Sequence, residues 1–227
     1  MGEITMAQAL NRAIDEAMAE NSGVFCLGED VGAKQGGGVF KITAGLTEKY
    51  GENRIRATPI SETAIVRAAV GAALAGQRPI AEIMLMNFVG VCMDQIVNHA
   101  AKLRFMSGGQ TNVPLVIRTT TGVGVGFGGQ HSDMLEAWFA HVAGLHVVTP
   151  SNAADAQGLM RSSIDCNDPV IFIENILCYG LKSQDPGLGY RVPLGKAAVA
   201  REGSDVSVIT YGRTVLDALA VASELAN

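Results

Sequence analysis

The sequence has no apolar run long enough to cross a membrane as a helix, although 48% of its residues are hydrophobic. A spanning helix needs about 18–20 consecutive apolar residues, and the most apolar stretch, residues 64–75, is interrupted by Arg67. The amino terminus shows no basic segment or apolar core of a secretory leader. We therefore expect a cytoplasmic protein with no membrane partner, whose aliphatic residues fill buried strands, helices and a subunit interface.

Charge is also scarce. Only 17% of the residues are charged, the net charge is -5 and the isoelectric point is about 5.4. Proteins that bind nucleic acid present a basic stripe to the phosphate backbone, and no such stripe occurs here. The composition therefore predicts no nucleic-acid partner.

Cysteine is rare and scattered. No two of the four form a C-x-x-C pair: they are Cys26, Cys92, Cys166 and Cys178. Disulfide frameworks and zinc sites need closer, patterned spacings, and buried free thiols are usual in a reducing cytosol. The pattern thus favours free thiols with no disulfide and no metal among them.

What the sequence does contain is an alternation of helical periodicity with short apolar runs. The predicted strands cover 24–28, 54–58, 79–86, 113–120, 145–149 and 169–174, and the predicted helices cover 6–20, 43–50, 62–76, 88–106, 132–143 and 152–165. Strands of Val, Ile and Leu between helices are typical of a parallel sheet covered on both faces. We expect an α/β fold that binds its ligand at the carboxyl ends of the strands.

The pattern changes beyond residue 180. Residues 181–203, rich in Pro and Gly, are predicted to be a connector, and residues 204–227 the incomplete beginning of a second α/β domain. Within these segments, residues 196–201 and 205–211 are predicted strands, and residues 214–226 a helix. The first domain therefore covers residues 1–180.

A glycine-rich loop follows the strand predicted at 113–120. Gly124, Gly126 and Gly129 match the dinucleotide-binding spacing G-x-G-x-x-G, but residues 149–151 lack the acidic side chain that would hold a ribose. Nicotinamide binding is therefore disfavoured. The loop is either a tight, flexible turn or a stretch of backbone that lies close to a ligand.

Three residues could carry chemistry, and each has an ordinary alternative. Glu62 would complement the dipole of the helix it begins, or an apolar setting would keep its carboxyl group able to donate a proton. Phe88 is either a core residue or a platform for a ligand ring. His131, after the glycine loop, is an acid–base group or a solvated side chain. His99, His141 and His146 lack H-E-x-x-H spacing and are predicted to be structural or solvated.

An ordered set of short runs resembles one known family. The runs are LGEDV at 27–31, TPISE at 58–62, RPIAE at 78–82, DQI at 94–96, AAK at 100–102, SGG at 107–109, QHS at 130–132, VVTP at 147–150 and DPV at 168–170. Together they resemble the β subunits of the thiamine-diphosphate-dependent pyruvate, branched-chain 2-oxo acid and acetoin dehydrogenases. The resemblance implies a transketolase-like pyrimidine-binding domain.

The resemblance assigns roles to these residues. It implies that Glu62 hydrogen-bonds a pyrimidine nitrogen of thiamine diphosphate and activates the cofactor, while Phe88 packs on the pyrimidine and Ile60 lines the same pocket. It also implies that His131 faces the substrate and the incoming lipoyl group. Glu62 and His131 are thus the expected catalytic residues of an oxidative decarboxylation that transfers an acyl group to lipoamide. The alternative is a non-catalytic assembly or binding module of the same fold.

The resemblance also implies partners. The G-D-G motif with paired asparagines that holds Mg²⁺ and the diphosphate is missing, so an α subunit in an α2β2 tetramer would supply it, and a lipoyl acyltransferase core would accept the product. A monovalent cation, K⁺, is implied at Leu115, Ser163, Cys166 and Asp168, although Cys166 and Asp168 depart from the family's side chains. The substrate would be pyruvate or acetoin, with branched-chain 2-oxo acids as the alternative.

Overall fold

A six-stranded parallel sheet forms the centre of the structure, a computed structural model that describes residues 2–226. In chain order the strands are β1 (Glu3–Thr5), β2 (Val24–Glu29), β3 (Ile55–Thr58), β4 (Arg78–Leu85), β5 (Val116–Thr121), β6 (His146–Val148), β7 (Val170–Asn175) and β8 (Lys182–Gln184). The sheet has the order β3-β2-β4-β5-β7-β6, and β1 and β8 form a separate antiparallel pair. The predicted parallel sheet is confirmed.

Helices cover both faces of the sheet. They are α1 (Met6–Glu20), α2 (Leu46–Tyr50), α3 (Glu62–Leu74), α4 (Met86–Val89), α5 (Leu103–Met106), α6 (Glu136–Ala140), α7 (Ala153–Asp165) and α8 (Thr214–Glu224). The helix α1 begins with a capping box between Thr5 and Gln8, and it packs with α7 on one face of the sheet. The helix α3 packs on the other face.

Side-chain alternation along the strands divides the core into these two layers. In β2, Val24 and Cys26 join the layer under α1, while Phe25 and Leu27 join the layer under α3. The division follows because successive strand residues point to opposite faces of a sheet. Strands that are buried on both faces are mainly apolar, which explains the apolar runs of the sequence, and the polar side chains buried in them need partners.

A buried ion-pair network crosses the middle of the sheet. On β5, the Arg118 guanidinium donates to Glu82 of β4 at 2.5 Å and, through two nitrogens, to Glu174 of β7 at 2.7 Å. Tyr179 donates to the same Glu174 carboxylate at 2.6 Å. Burial raises the pKa of Glu82, and Arg118 opposes that rise. Next to the network, the backbone of β4 leaves no room for a side chain at Gly28 of β2, where a Cβ atom would lie 2.7 Å from the Glu82 backbone carbonyl oxygen.

The connector contains an element that the sequence did not predict. The strand β8 pairs with β1, and Asp185 beyond it accepts two hydrogen bonds from Arg12 of α1, at 2.6 and 2.9 Å. Arg12 also donates to Gln157 of α7. The hydrogen bonds from Arg12, with one from the Gly187 backbone, lower the pKa of Asp185 to about 2. A three-residue strand has too little periodicity to be recognised without its partner.

The long helix predicted at 88–106 is wrong. The segment is divided into α4, a short 3-10 turn, a π-helical turn at Gln95–Ala100 and α5. In the π turn, the Ala101 N–H donates to the Ile96 carbonyl, five residues back. This wider turn carries both Ala100 and Ala101 to the buried side, and π turns of this kind are frequent near functional sites.

The helix predicted at 132–143 is shorter than expected. Only Glu136–Ala140 is helical, because Asp133 forms its hydrogen bonds with side chains outside the segment. Its N–H donates to Asn87 and its carbonyl accepts from Thr121. These bonds hold residues 131–135 in a loop that is not helical.

The strands predicted at 196–201 and 205–211 are also wrong. The structure has no strand in either segment, and most of their side chains are exposed; Ile209 is 97% exposed. Their alternating pattern has no neighbouring strand with which to form a ladder. The helix predicted at 214–226 is present as α8. Among residues 2–226, no helix is both long and apolar enough to span a bilayer.

We expect Arg118→Met to destabilise the fold by about 3–5 kcal/mol, since removal of one partner leaves buried charge uncompensated. Urea unfolding followed by circular dichroism measures the loss. The matched control is Arg191→Met, which breaks exposed ion pairs with Asp165 and Glu20 and should cost at most about 1 kcal/mol. Equal losses in the two variants would contradict this role for Arg118.

The Asp185 carboxylate should make the fold sensitive to acid. Its pKa is lowered to about 2 in the folded chain, against about 3.9 for an unperturbed aspartate. Its contribution to stability is therefore complete above about pH 4 and is lost as the pH falls towards 2. Urea unfolding at pH 6 and at about pH 3 should show a smaller decrease for Asp185→Asn than for the wild type. An identical decrease would exclude the contribution.

Candidate active site

The candidate residues lie at the carboxyl edge of the sheet. Glu29 ends β2, Glu62 begins α3 after β3, Phe88 lies in α4 after β4, and His131 lies in the loop after β5. These four strands are neighbours in the order β3-β2-β4-β5. In a parallel sheet the segments that follow the strands meet at one edge, where such folds bind ligands.

Phe88 and His131 are in direct contact. Their ring centroids are 5.3 Å apart and the ring planes meet at 81°, an edge-to-face arrangement. Both side chains are half-buried. The contact brings together two residues that the sequence assigned separately to the cofactor and the substrate, and it fixes the orientation of the imidazole ring.

A clamp between two side chains holds the His131 loop against α4. Asn87 donates to the Asp133 carboxylate at 2.6 Å, and the Asp133 N–H donates back to the Asn87 amide oxygen at 3.2 Å. Neither residue was singled out in the sequence, although each lies within two positions of a residue that was. Only the pairing of distant segments shows their role.

Gly122 makes the close approach of this loop possible. A Cβ atom there would lie 2.2 Å from the His131 carbonyl oxygen and 3.0 Å from the Phe127 ring. Of the two interpretations of the glycine-rich loop, this contact favours close backbone packing next to the candidate site. The packing partner is the His131 segment itself.

A second carboxyl group, that of Glu29, lies near enough to Glu62 to respond to its charge. Burial, and next the Glu62 carboxylate, raise the pKa of Glu29, and a hydrogen bond with the Ser61 backbone opposes the rise. One buried oxygen of Glu29 has no hydrogen-bond partner within the chain. The helix dipole accounts for an acid at Glu62, but it does not account for the second acid beside it. Glu29 was missed because the LGEDV run was used only to recognise the family.

Glu62 is partly buried, and three nearby residues describe its surroundings. Ser61 occupies the N-cap position of α3, but its hydroxyl donates to Pro59 instead of capping the helix. Burial raises the pKa of the Cys92 thiol to about 12, and the Glu62 carboxylate adds to the rise. Ile60, two residues before Glu62, is 82% exposed. An apolar side chain so exposed at this edge is available to a ligand or to another subunit.

The residues implied for a monovalent cation lie at the opposite, amino-terminal ends of the strands. The carbonyl of Leu115 accepts from the Val170 N–H at 2.8 Å, and that of Ser163 from the Cys166 N–H at 3.3 Å. The carbonyl of Cys166 accepts from Arg78 at 2.9 Å. Each carbonyl thus has one lone pair already engaged, and Arg78 brings a positive charge. The cation at these residues and Asp168 stays a prediction.

Comparison with known proteins identifies the family. Residues 2–179 match the family described as "Transketolase, pyrimidine binding domain". The chain belongs to this family. Its fold matches that of a solved structure titled "Split gene transketolase, inactive beta4 tetramer" with a TM-score of 0.77, over 99% of this chain and 68% of that one, at 21% identity. At that identity the match shows the α/β fold alone.

Two relatives illustrate the closer similarities. The chain is 46% identical to the acetoin:2,6-dichlorophenolindophenol oxidoreductase subunit beta of Cupriavidus necator, over 99% of this chain and 68% of the relative. It is 45% identical to the mitochondrial pyruvate dehydrogenase E1 component subunit beta-1 of Arabidopsis thaliana, over 99% of this chain and 62% of the relative. The chain thus spans about two thirds of these relatives, and the resemblance inferred from the sequence motifs is confirmed.

We expect Gly122→Ala to displace the His131 segment, because the added methyl group cannot fit 2.2 Å from the His131 carbonyl. The imidazole resonances of His131 in a carbon–proton NMR spectrum should shift. Gly129→Ala is the matched control, because a Cβ atom there meets nothing within 4 Å. Unchanged His131 resonances in Gly122→Ala would show that the loop accommodates the methyl group without moving the histidine.

Proposed function

We propose that this chain is the β subunit of the dehydrogenase (decarboxylase) component of a 2-oxo acid or acetoin dehydrogenase complex, dependent on thiamine diphosphate. The observation that carries the proposal is the convergence of Glu62, Glu29, Phe88 and His131 at one edge of a pyrimidine-binding fold. The names of the relatives, subunits of pyruvate and acetoin dehydrogenases, support it. The substrate class is therefore pyruvate or acetoin, with branched-chain 2-oxo acids as the alternative.

The residues present fit the pyrimidine end of the cofactor. A planar ring needs an apolar face and a hydrogen-bonding acid at its edge, and Phe88 and the Glu62 carboxyl provide these. The buried Glu29 oxygen that lacks a partner is a polar group that a ligand at this edge would satisfy. When bound, thiamine diphosphate supplies the nucleophilic carbon that attacks the substrate carbonyl and holds the electrons released with CO₂.

Glu29 can hold a proton near Glu62. Burial and the negative charge of Glu62 raise the pKa of the Glu29 carboxyl group and so favour its protonated form. Glu62 is the residue that would hydrogen-bond the pyrimidine nitrogen. His131, oriented by Phe88, provides a proton donor or acceptor on the substrate side.

The diphosphate end of the cofactor requires another chain. The sequence lacks the G-D-G motif with paired asparagines, so Mg²⁺ and the diphosphate would be held by an α subunit in an α2β2 tetramer. The exposed Ile60 beside Glu62 is consistent with an edge that such a partner covers. The lipoyl acyltransferase core and K⁺ belong to the same proposal.

The alternative of a non-catalytic module gains no support from the relatives, whose names are those of enzyme subunits. The cytoplasmic location stays a prediction, since relatives from Arabidopsis and human are named as mitochondrial.

The proposal is tested by Glu62→Gln in this chain assembled with an α subunit that carries the diphosphate motif. We expect the turnover of pyruvate or acetoin, measured by reduction of dichlorophenolindophenol, to fall by about 10²–10⁴-fold, the contribution typical of a positioned proton donor. The amide keeps the shape of the side chain but cannot supply the proton. The rate should be measured at saturating thiamine diphosphate, so that weaker cofactor binding is separated from slower chemistry.

The matched control is Glu48→Gln. Glu48 is also an acid in the first turn of a helix, but it is exposed and lies in α2. If Glu62 acted only on the helix dipole, the two variants would behave alike. Wild-type turnover in Glu62→Gln would therefore refute the mechanism, and a loss in Glu62→Gln alone would support it.

A further inference from the structure

Three side chains of different chemistry converge at the amino-terminal edge of the sheet. They are His146 at the start of β6, Cys166 at the C-cap of α7 and Asp168 in the turn before β7. A ring nitrogen of His146, the Cys166 sulfur and a carboxylate oxygen of Asp168 all lie within 4.8 Å of one another. This imidazole, thiol and carboxylate form one cluster of possible metal ligands.

The backbone holds the cluster in place. The strand β6 pairs with β7 in register, and the His146 N–H donates to the Pro169 carbonyl at 3.0 Å. The Cys166 N–H donates to Ser163 at the end of α7, and the Asp168 N–H donates to the Cys166 sulfur at 3.4 Å. The three side chains are therefore fixed by the sheet, the helix end and the turn between them.

The accessibility of Cys166 separates it from the other thiols. Cys26, Cys92 and Cys178 are buried, and Cys166 is only partly buried. His146 and Asp168 are partly buried as well. An ion can reach the cluster from solvent, and the three side chains need only small movements to approach it.

We propose that His146, Cys166 and Asp168 bind one Zn²⁺ ion, with water as the fourth ligand. Nitrogen, sulfur and oxygen donors from three side chains match the coordination preferences of zinc. Zinc–ligand bonds of about 2.0–2.3 Å place tetrahedral donor atoms about 3.5 Å apart, and the cluster needs only a modest contraction to reach this spacing.

Binding releases one proton. The Cys166 S–H bond breaks, a sulfur–zinc bond forms and the proton passes to solvent, which leaves a thiolate and the Asp168 carboxylate facing the ion. The neutral imidazole of His146 adds no charge. Arg104 donates to the Asp168 Oδ1 atom at 2.5 Å, which leaves Oδ2 for the metal and orients the carboxylate, as outer partners of metal ligands do.

The site shares Cys166 and Asp168 with the implied monovalent cation site but differs from it in its donor atoms. The latter is bound partly through backbone carbonyls, whereas the zinc site uses side chains and adds His146. Zinc here would join the end of α7 to β6 and β7, far from Glu62 at the opposite edge of the sheet. Its role would therefore be structural, and the proposal does not depend on the proposed enzymatic function.

Cobalt substitution tests the proposal directly. The full chain, stripped of metal with a chelator, is titrated with Co²⁺ and then with Zn²⁺. We expect one Co²⁺ per chain with a near-ultraviolet thiolate-to-cobalt charge-transfer band, which stoichiometric Zn²⁺ abolishes and excess K⁺ does not. Absence of this band in the folded wild-type chain would overturn the proposal, as would its displacement by K⁺.

Variants identify the ligands. Cys166→Ser should remove the charge-transfer band, and His146→Gln should weaken Zn²⁺ binding by more than about tenfold, since even an outer-shell change can cost that much. The matched control is His141→Gln, because His141 is an exposed residue at the end of α6 and should bind metal like the wild type. Survival of the band in Cys166→Ser would exclude the site.

A measurement on the unmodified chain does not depend on whether the variants fold. Iodoacetamide should alkylate Cys166 before the three buried thiols, and Zn²⁺ should slow that alkylation at least tenfold if the sulfur is a ligand. Mass spectrometry of tryptic peptides follows each cysteine separately. An alkylation rate at Cys166 that is independent of Zn²⁺ would argue against coordination.

Discussion

The sheet is organised around one buried, positively charged side chain. Arg118 lies between the carboxylates of Glu82 and Glu174 and joins β4, β5 and β7 across the centre of the fold. A charge in an apolar interior is tolerated only when its partners satisfy it. A register shift of one residue would turn Arg118 to the other face of the sheet, so the network fixes the alignment of the three strands and hence the positions of their carboxyl ends.

The candidate active site depends on that alignment. Glu82 lies three residues before the end of β4, and α4 follows at once with Asn87 and Phe88. The loop after β5 is then fastened to α4 by the bonds between Asn87 and Asp133, and His131 contacts Phe88. The site is thus formed by the segments that follow the strands at one edge of the sheet. None of its side chains could be placed without the sheet.

The two edges of the sheet carry different chemistry for a physical reason. At the carboxyl edge, burial and the charge of Glu62 raise the pKa of Glu29 and favour its protonated form. At the amino edge, His146, Cys166 and Asp168 combine donors of different softness within a short distance, which favours a metal ion. The sequence predicts free thiols, and all four cysteines are free in the structure. It predicts a structural or solvated role for His146, because His146 and Cys166 lack the close spacing of familiar zinc motifs.

The sequence by itself determined the parallel sheet, α1, α3 and α7 and the family, and it made Glu62 a candidate, because these depend on local periodicity and on ordered motifs. The tertiary structure alone decided the π turn at Gln95–Ala100, the pairing of β1 with β8 and the absence of strands in residues 196–211. It also decided which side chains meet: Phe88 with His131, and Asn87 with Asp133. Hydrogen bonds between segments far apart in the chain determine these features, and such bonds leave no periodic pattern in the sequence.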